Sequence, residues 1–364
     1  MRAVFLRLRP FLIALVCSWV ALFVAASVYS AQYPQSHWIM QAALPAFLVE
    51  AVFYLGAGFE STRDWFQQIG SRRLAAWLLL TSALLPYVIF SFRAGTFQKN
   101  AFYLLAGLSA TYAFWHVIFP RRIAYDLGFL VVAAAPVVVR FFARIYRSPD
   151  EHIRVDILGH LMWIRLGMLA LLCFREWNPG AFGFWPQASE WRTGIAYYLV
   201  TLIPLMGVSL AVHDVRFAPQ QGQWWRLVGI ALGYFFGAFW VTALGEELFF
   251  RGVIERALLR NTRKTAAVSS APPQGLRSSF PVWRRVSAPF ALLKIWNQAT
   301  AVLVSALLFG VAHLWFHQFP DWREAAVVAV LGIALGVVYA RTGSVRASMV
   351  THACVVATWR VFFK

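Results

Sequence analysis

The sequence predicts an all-α protein, a polytopic membrane helix bundle with about eleven transmembrane helices. Of its 364 residues, 60% are hydrophobic and only 13% are charged, whereas roughly a quarter of the residues in a soluble domain are charged. Its mean hydropathy is +0.62, and its apolar residues come in long runs. Hydrocarbon offers no partner to a backbone N–H or C=O, so each run of about 20 residues is expected to cross the bilayer as a helix.

The candidate spans follow one another along the whole chain. The first follows a basic N-terminus and is similar to a signal peptide, but its apolar run is longer than a typical signal, which favours an uncleaved span. The fifth and sixth carry charges and flank a charged segment. The spans are 11–31, 38–58, 74–92, 100–119, 123–141, 157–174, 194–213, 227–250, 298–317, 324–340 and 345–363.

The positive charge predicts the orientation of the chain rather than a nucleic-acid partner. The net charge is +18, but the basic residues lie in short loops and at helix ends, as topology signals and lipid headgroup contacts do. The longest polar stretch, 255–294, has only one acid, Glu255, among many basic residues, so we expect a flexible cytoplasmic linker. The arginines near 142–156 would then face outward, which points to a miscounted or re-entrant segment there.

Other function classes find no support in the sequence. The three cysteines, Cys17, Cys173 and Cys354, all fall inside candidate spans, so neither a disulfide framework nor a CxxC metal knuckle is expected. Walker and dinucleotide fingerprints are absent, and no cofactor is expected. We divide the chain into an N-terminal transmembrane region of unknown role, 1–192, and a C-terminal membrane domain, 193–364.

The stretch "GEELFFRG" at 245–252 places charged residues at membrane depth. An ionisable group there costs about 2.5–3.5 kcal/mol on insertion scales, so several together usually have a function. A structural ion pair accounts for two of them, because Glu247 and Arg251 are four residues apart and share a helix face. Glu246 is turned about 100° from Glu247 and has no local partner, so its carboxylate needs another explanation.

Two further polar groups follow on later apolar helices. "FGVAH" places His313 four residues after Phe309, and His352 lies in the middle of the last span. A single histidine in a membrane helix more often makes a packing contact or a helix-to-helix hydrogen bond than a catalytic site. Three helices that each present a titratable group favour a shared site.

These residues resemble the motifs of a known family. "EELFFR" (Glu246, Glu247, Arg251), "FGVAH" (Phe309, His313) and the terminal His352 are similar to the EExxxR, FxxxH and histidine motifs of the CAAX protease and bacteriocin-processing intramembrane endopeptidases. The eukaryotic type II CAAX prenyl endopeptidase belongs to this family. The "TGS" at 342–344 is also typical of it. The resemblance covers about 193–364 and leaves the first part of the chain unexplained.

The resemblance implies a glutamic protease that cuts peptide bonds in or near the membrane. On this interpretation Glu246 is the general base that activates a water molecule, and His313 holds that water. His352 donates a hydrogen bond to the developing oxyanion.

Supporting roles and partners follow from the same resemblance. Glu247 and Arg251 would fix the helix and aim Glu246, and Phe309 would be a packing wall. The expected partners are a membrane-embedded or lipid-anchored peptide or protein substrate and membrane lipids, with no nucleic acid. A basic chain rich in Arg, Ala and Trp suggests a bacterial plasma membrane as its location.

One position departs from the family pattern. The third motif usually carries Asn four residues after the histidine, where this chain has Val356, which cannot donate a hydrogen bond. Ser348, one turn before His352, is a candidate replacement, although a hydroxyl bonded to its own helix is the simpler interpretation. A catalytically weak or inactive binding or immunity protein therefore stays an alternative, and a transporter that uses the buried charges is another.

A metal site is a rival interpretation of the same side chains. His313 and His317 lie four residues apart and could join His352 and the two glutamates in a zinc site. The HExxH arrangement is missing, so no metal is expected.

Further charges lie in the N-terminal spans. They could pair with one another, line a substrate path or mark a second function, and we assign none of them a catalytic role. They are Glu50, Asp126, Arg140, His160 and Arg165.

Overall fold

The computed structural model describes residues 2–150, 153–260, 298–315 and 319–363, and in these residues every regular element is a helix. The chain forms two compact units, Met1–Asn178 and Pro179–Lys364. The division between them lies before the predicted one at 192/193. The functional assignment of the two regions stays a prediction.

The first unit is organised around its second helix. That helix packs against α1, α4 and α8, and its buried Ala42, Ala43 and Ala46 allow the neighbouring backbones to approach closely. The helices are α1 (Arg2–Gln32), α2 (His37–Gly58), α3 (Glu60–Gln67), α4 (Arg72–Arg93), α5 (Lys99–Ile118), α6 (Ile123–Val138), α7 (Phe141–Ile145) and α8 (Asp156–Phe174).

The second unit is organised around its last helix, α13. The helices are α9 (Ala188–Ala211), α10 (Trp224–Arg260), α11 (Gln298–Ala312), α12 (Trp322–Thr342) and α13 (Val345–Phe362). α13 packs against α9, α10 and α12, while α11 packs against α12 and the end of α10. A Cβ atom on Gly310 of α11 would lie 2.5 Å from the Ala325 oxygen of α12, so this glycine permits the close packing of the two helices.

The prediction of an all-α polytopic membrane protein is confirmed. Each of the eleven predicted runs coincides with a helix, and eight of the described helices are long and apolar enough to cross a membrane. α6 and α11 are apolar but shorter, so the count of eleven stays a prediction. α10 continues to Arg260, so the first residues of the expected linker are helical; residues 261–294 lie outside the described part of the chain.

α10 is not a regular α-helix where its charges lie. Two π-helical segments, Ala238–Ala243 and Leu248–Glu255, flank the short α-helical stretch Leu244–Glu247. A π turn holds more residues than an α turn, so it rotates the side chains that follow it. Such segments are rare and often occur at functional sites. Glu246 and Glu247 lie between two of them.

Candidate active site

Glu247 forms the centre of a buried charged cluster in the second unit. Its side chain is fully buried, and its Oε2 lies 3.4 Å from Nε of Arg251, four residues further along α10. Its Oε1 lies 2.9 Å from Nδ1 of His352 on α13. A buried carboxylate is tolerated only when it is paired and hydrogen-bonded, and Glu247 has both kinds of contact. It therefore links α10 to α13.

Arg251 holds the same part of α10 against α12 and α11. Its Nη2 donates a hydrogen bond to the backbone oxygen of Gly332, at 2.9 Å. Its guanidinium carbon lies 4.6 Å from the ring centroid of Phe309, a distance at which the ring face attracts a cation. Arg251 is fully buried, so these contacts and Glu247 supply its stabilisation. These contacts fix the Arg251 side chain beside the candidate site.

Glu246 differs from its neighbour in exposure. Its side chain is 29% exposed, and its Oε2 lies 3.7 Å from Nε2 of His352. That distance is too long for a direct hydrogen bond. The oxygen itself is buried, although the side chain as a whole is partly exposed. Among the described residues, no hydrogen-bond partner is found for this oxygen. It can therefore accept a hydrogen bond from a water molecule or a substrate.

His313 reaches the same region from α11. It lies just after the last residue of the helix, and its Nδ1 is 2.9 Å from the backbone oxygen of Phe309. The Phe309 ring is 4.9 Å from the His313 ring and 5.9 Å from the His352 ring, between centroids. Phe309 thus packs against both histidines. The structure brings Glu246, Glu247 and His352 together directly and holds His313 beside them through this ring.

The sequence offered no means of finding the contact between Glu247 and His352. The two residues are separated by 105 positions, and the spacing of Glu247 and Arg251 already gave Glu247 a complete explanation as half of an ion pair. Only the packing of α10 on α13 shows that one carboxylate serves two partners.

The two positions around the terminal histidine can now be located. Ser348 donates its hydroxyl hydrogen to the Val345 oxygen of its own helix, at 3.0 Å, which is the simpler of the two arrangements expected for it. Val356 is half-buried on α13 and brings no polar group. His317 lies outside the described residues. Within the described ranges, no group of three His, Cys, Asp or Glu side chains is placed to hold a metal ion.

Three of the five N-terminal side chains singled out in the sequence, Glu50, Asp126 and Arg165, are in ion pairs. Arg165 donates from Nε and Nη2 to the two carboxylate oxygens of Glu50, at 2.6 and 3.1 Å. Arg175 donates to Asp126 in the same two-pronged way, at 2.7 and 2.8 Å. Pairing is therefore the alternative that the structure supports for Glu50, Asp126 and Arg165.

The other two of these five side chains, His160 and Arg140, lie near helix ends. Nδ1 of His160 lies 2.9 Å from the Asp156 oxygen, one turn earlier in α8. Arg140 has a φ of 50° in the turn between α6 and α7.

Comparison with known proteins identifies the region that holds the candidate site. Residues 227–358 match the protein family described as "Type II CAAX prenyl endopeptidase Rce1-like". In this segment, which is about a third of the chain, the protein is similar to the CAAX protease family. The matched segment contains Glu246, Glu247, Phe309, His313 and His352. No curated protein and no solved structure gives a significant match.

The matched segment is therefore similar to proteases of the CAAX type, and the long apolar helices are those of an integral membrane protein. The matched segment begins inside α10, so α9 and the whole first unit lie outside it. The CAAX protease motifs therefore occupy three helices of the second unit, α10, α11 and α13.

Proposed function

We propose that this protein is an intramembrane endopeptidase in which Glu246 activates a water molecule to hydrolyse a peptide bond of a membrane-associated substrate. The observation that carries the proposal is the position of His352. Its Nδ1 lies 2.9 Å from the buried Glu247, while its Nε2 lies 3.7 Å from the partly exposed Glu246. Two carboxylates in different surroundings, on either side of one imidazole, can take different roles.

The contact with Glu247 determines which nitrogen of His352 carries a proton. An ionised carboxylate only accepts hydrogen bonds, and Arg251 holds Glu247 in an ion pair. Nδ1 of His352 is therefore the donor, and Nε2 is the nitrogen that faces Glu246. In the imidazolium form Nε2 also carries a hydrogen and can donate it to a developing oxyanion.

The reaction then balances without a cofactor. Glu246 takes a proton from a water molecule, and the oxygen of that water attacks the peptide carbonyl. The oxyanion that forms accepts a hydrogen bond from Nε2 of His352. When the C–N bond breaks, the protonated Glu246 gives its proton to the leaving amine, and the carboxylate is restored.

His313 supports this scheme from α11. Its Nδ1 lies against the Phe309 oxygen, which can only accept, so Nδ1 is the donor in that contact. Neutral His313 then has an acceptor nitrogen at Nε2, which suits the proposed role of orienting the water. Val356 contributes no second donor to the oxyanion. Loss of one such donor lowers turnover about a hundredfold or more, so slow catalysis is expected.

The decisive experiment uses the full chain in lipid nanodiscs. One probe is a quenched fluorescent peptide with a prenylated C-terminal CAAX sequence, and the other is an unprenylated peptide with one apolar transmembrane segment. Turnover should be lost in Glu246→Gln and retained in Glu60→Gln, which alters a carboxylate in α3 of the first unit. If wild type cleaves and Glu246→Gln cleaves equally fast, the glutamate mechanism is wrong.

A second candidate function is a binding or immunity protein without proteolysis, and Val356 is the observation that favours it. In that case Val356→Asn would leave turnover absent with both probes, whereas in a slow protease it would raise turnover. A transporter loses its main support, because Glu50 and Asp126 each have an arginine partner. We further propose a bacterial plasma membrane as the location, with the 255–294 segment in the cytoplasm.

A further inference from the structure

α9 is joined to α13 by three sets of polar contacts. On α9 they involve Glu190, Gly194 and Tyr198, which are spaced four residues apart and therefore lie on one face of the helix. Their partners on and before α13 follow in the same order along the chain, so the two helices run parallel. α9 lies outside the segment that matches the CAAX protease family. It nevertheless packs closely on the helix that carries His352.

The first set of contacts fixes the start of α13. Oε1 of Glu190 accepts hydrogen bonds from the Ser344 hydroxyl, at 2.5 Å, and from Nε and Nη2 of Arg346, at 3.1 and 3.0 Å. The Ser344 oxygen accepts in turn from the backbone N–H of Ala347, at 3.2 Å, and so caps α13. Glu190 is buried. It ties the first turn of α9 to the first turn of α13.

The second set lies beside His352. The Thr351 hydroxyl is fully buried and donates to the Gly194 oxygen of α9 at 2.9 Å, a shorter contact than the 3.4 Å to the Ala347 oxygen of its own helix. The helices are very close here. A Cβ atom on Gly194 would lie 2.6 Å from Cβ of Val350, so only glycine allows α13 to approach this near.

The third set lies two turns further on. The Thr358 hydroxyl donates to the Cys354 oxygen at 2.9 Å, which uses its only hydrogen. The contact of 2.7 Å between the Tyr198 and Thr358 oxygens is therefore a hydrogen bond donated by Tyr198. Both ends and the middle of α13 are thus held to α9.

We propose that α9 is the positioning element for His352 and that Thr351 is the residue through which it acts. Thr351 precedes His352 directly. The hydrogen bond from Thr351 to Gly194 therefore fixes how far α13 is rotated about its axis and shifted along it, and so where the imidazole lies relative to Glu246 and Glu247. The expected fall in kcat rests on the proposed function. The geometric consequence of the proposal, the placement of the His352 ring, is independent of catalysis.

The geometry explains why such a support is needed. Reacting groups must be held within about 0.5 Å of their productive positions, and a misplacement of about 1 Å can lower turnover about a hundredfold. His352 is held by one hydrogen bond to Glu247 on α10. The contacts with α9 hold the opposite part of α13 in place. Loss of the Thr351 hydrogen bond should let the ring move away from both carboxylates.

The kinetic test compares three variants of the full chain in nanodiscs. Thr351→Val removes the hydroxyl with little change of shape and should lower kcat about tenfold, with KM nearly unchanged, because the reacting group is displaced while substrate binding is not. Thr351→Ser restores the hydroxyl and should recover most of kcat. Thr193→Val is the matched control, since that hydroxyl bonds only within α9, to the Ser189 oxygen. Equal kcat in Thr351→Val and wild type overturns the proposal.

A second measurement needs no substrate. The imidazole ¹⁵N chemical shifts of His352 report the hydrogen bond from Nδ1 to Glu247. They should change in Thr351→Val and stay unchanged in Thr193→Val. Unchanged shifts in Thr351→Val overturn the positioning role, whatever the activity. Failure of the proposed function has a different signature, which is cleavage by Glu246→Gln at the wild-type rate.

Discussion

At the scale of single residues, the candidate site contains two adjacent carboxylates with different surroundings. Glu247 is fully buried between Arg251 and His352, whereas Glu246 is 29% exposed and meets only the far side of the same imidazole. A carboxylate with two partners is held in place. A carboxylate whose side chain is partly exposed, as that of Glu246 is, can take up and release a proton. This difference in surroundings supports the proposed roles, orientation of His352 for Glu247 and activation of water for Glu246.

The first prediction concerns Glu247→Gln. An amide can donate to Nδ1 of His352 as well as accept from it, so the ring loses its fixed proton arrangement. We expect kcat to fall about a hundredfold or more, as when the orienting carboxylate of a catalytic histidine is replaced by its amide. Turnover in nanodiscs with Glu60→Gln as the control measures this. Wild-type kcat in Glu247→Gln would show that the hydrogen bond to His352 has no part in catalysis.

The second prediction concerns Arg251. Arg251→Met leaves Glu247 buried without its ion-pair partner. Breaking a buried pair in this way costs about 3–5 kcal/mol. We expect a lower melting temperature and lower yield, with Arg251→Lys intermediate because an ammonium cannot reproduce the bond to Gly332 together with the ion pair. Thermal unfolding in detergent measures the effect. A variant that melts like wild type yet has no turnover would make Arg251 a substrate contact instead.

At the scale of helices, the sequence predicts which segments form helices, because each helix depends on a single run of residues. An apolar run of about 20 residues is sufficient to predict a membrane helix, and in the described residues each of the eleven runs contains a helix, eight of them long and apolar enough to cross a membrane. It cannot predict which helices meet. Glu50 and Arg165 are separated by 115 positions, and nothing local selects that partner. The π-helical segments of α10 were not predicted either, because one extra residue in a turn leaves no spacing that distinguishes it from an α-helix.

The third prediction uses the pair of Glu50 and Arg165, which joins α2 to α8. Arg165 also donates to the hydroxyl and the backbone oxygen of Ser82 on α4, at 2.8 and 2.7 Å. Arg165→Met should destabilise the protein by about 3–5 kcal/mol, because Glu50 is left buried and unpaired. The double variant Glu50→Leu with Arg165→Met should recover much of that loss. Chemical unfolding of the three proteins measures this, and a double variant as unstable as Arg165→Met alone would contradict it.

The fourth prediction is a pH dependence at Glu176, which follows the last turn of α8. Hydrogen bonds from Arg121, together with the charges of Arg121 and Arg72, lower the pKa of Glu176 below its usual value. A lowered pKa means that the carboxylate stabilises the fold at neutral pH, and that this contribution disappears as the pH falls below the ordinary glutamate value through the folded one. The difference in melting temperature between wild type and Glu176→Gln should therefore shrink on acidification. A difference that is constant from neutral to acidic pH contradicts the prediction.

At the scale of the whole molecule, charge has an uneven distribution within the second unit. Consecutive helices run antiparallel from α10 to α13, so the end of α10, the end of α12 and the start of α13 lie at one end of the unit. This end holds Arg192, Arg256, Arg260, Arg341 and Arg346, while the other end holds Arg216, Arg226, Arg323 and Arg360 together with the acids Asp214, Asp321 and Glu324. The basic 255–294 segment of the sequence accounts for most of the difference in charge. Arg256 and Arg341 donate to tyrosine hydroxyls, on Tyr339 and Tyr197. The sequence predicted this asymmetry from its basic 255–294 segment, because the net charge of a loop needs no knowledge of packing.

The last prediction concerns the orientation of the protein in the membrane. Basic residues accumulate in the short loops on the cytoplasmic side of a membrane. The end of the second unit where α10 ends and the basic 255–294 segment follows should therefore be cytoplasmic. Thr342 is exposed at that end, and Gln221 is exposed in the segment between α9 and α10, at the other. In a background in which Cys17, Cys173 and Cys354 are replaced by Ala, Gln221→Cys should react with a membrane-impermeant maleimide in intact cells. Thr342→Cys should react only after the membrane is opened. The reverse pattern would place this end of the second unit outside the cell.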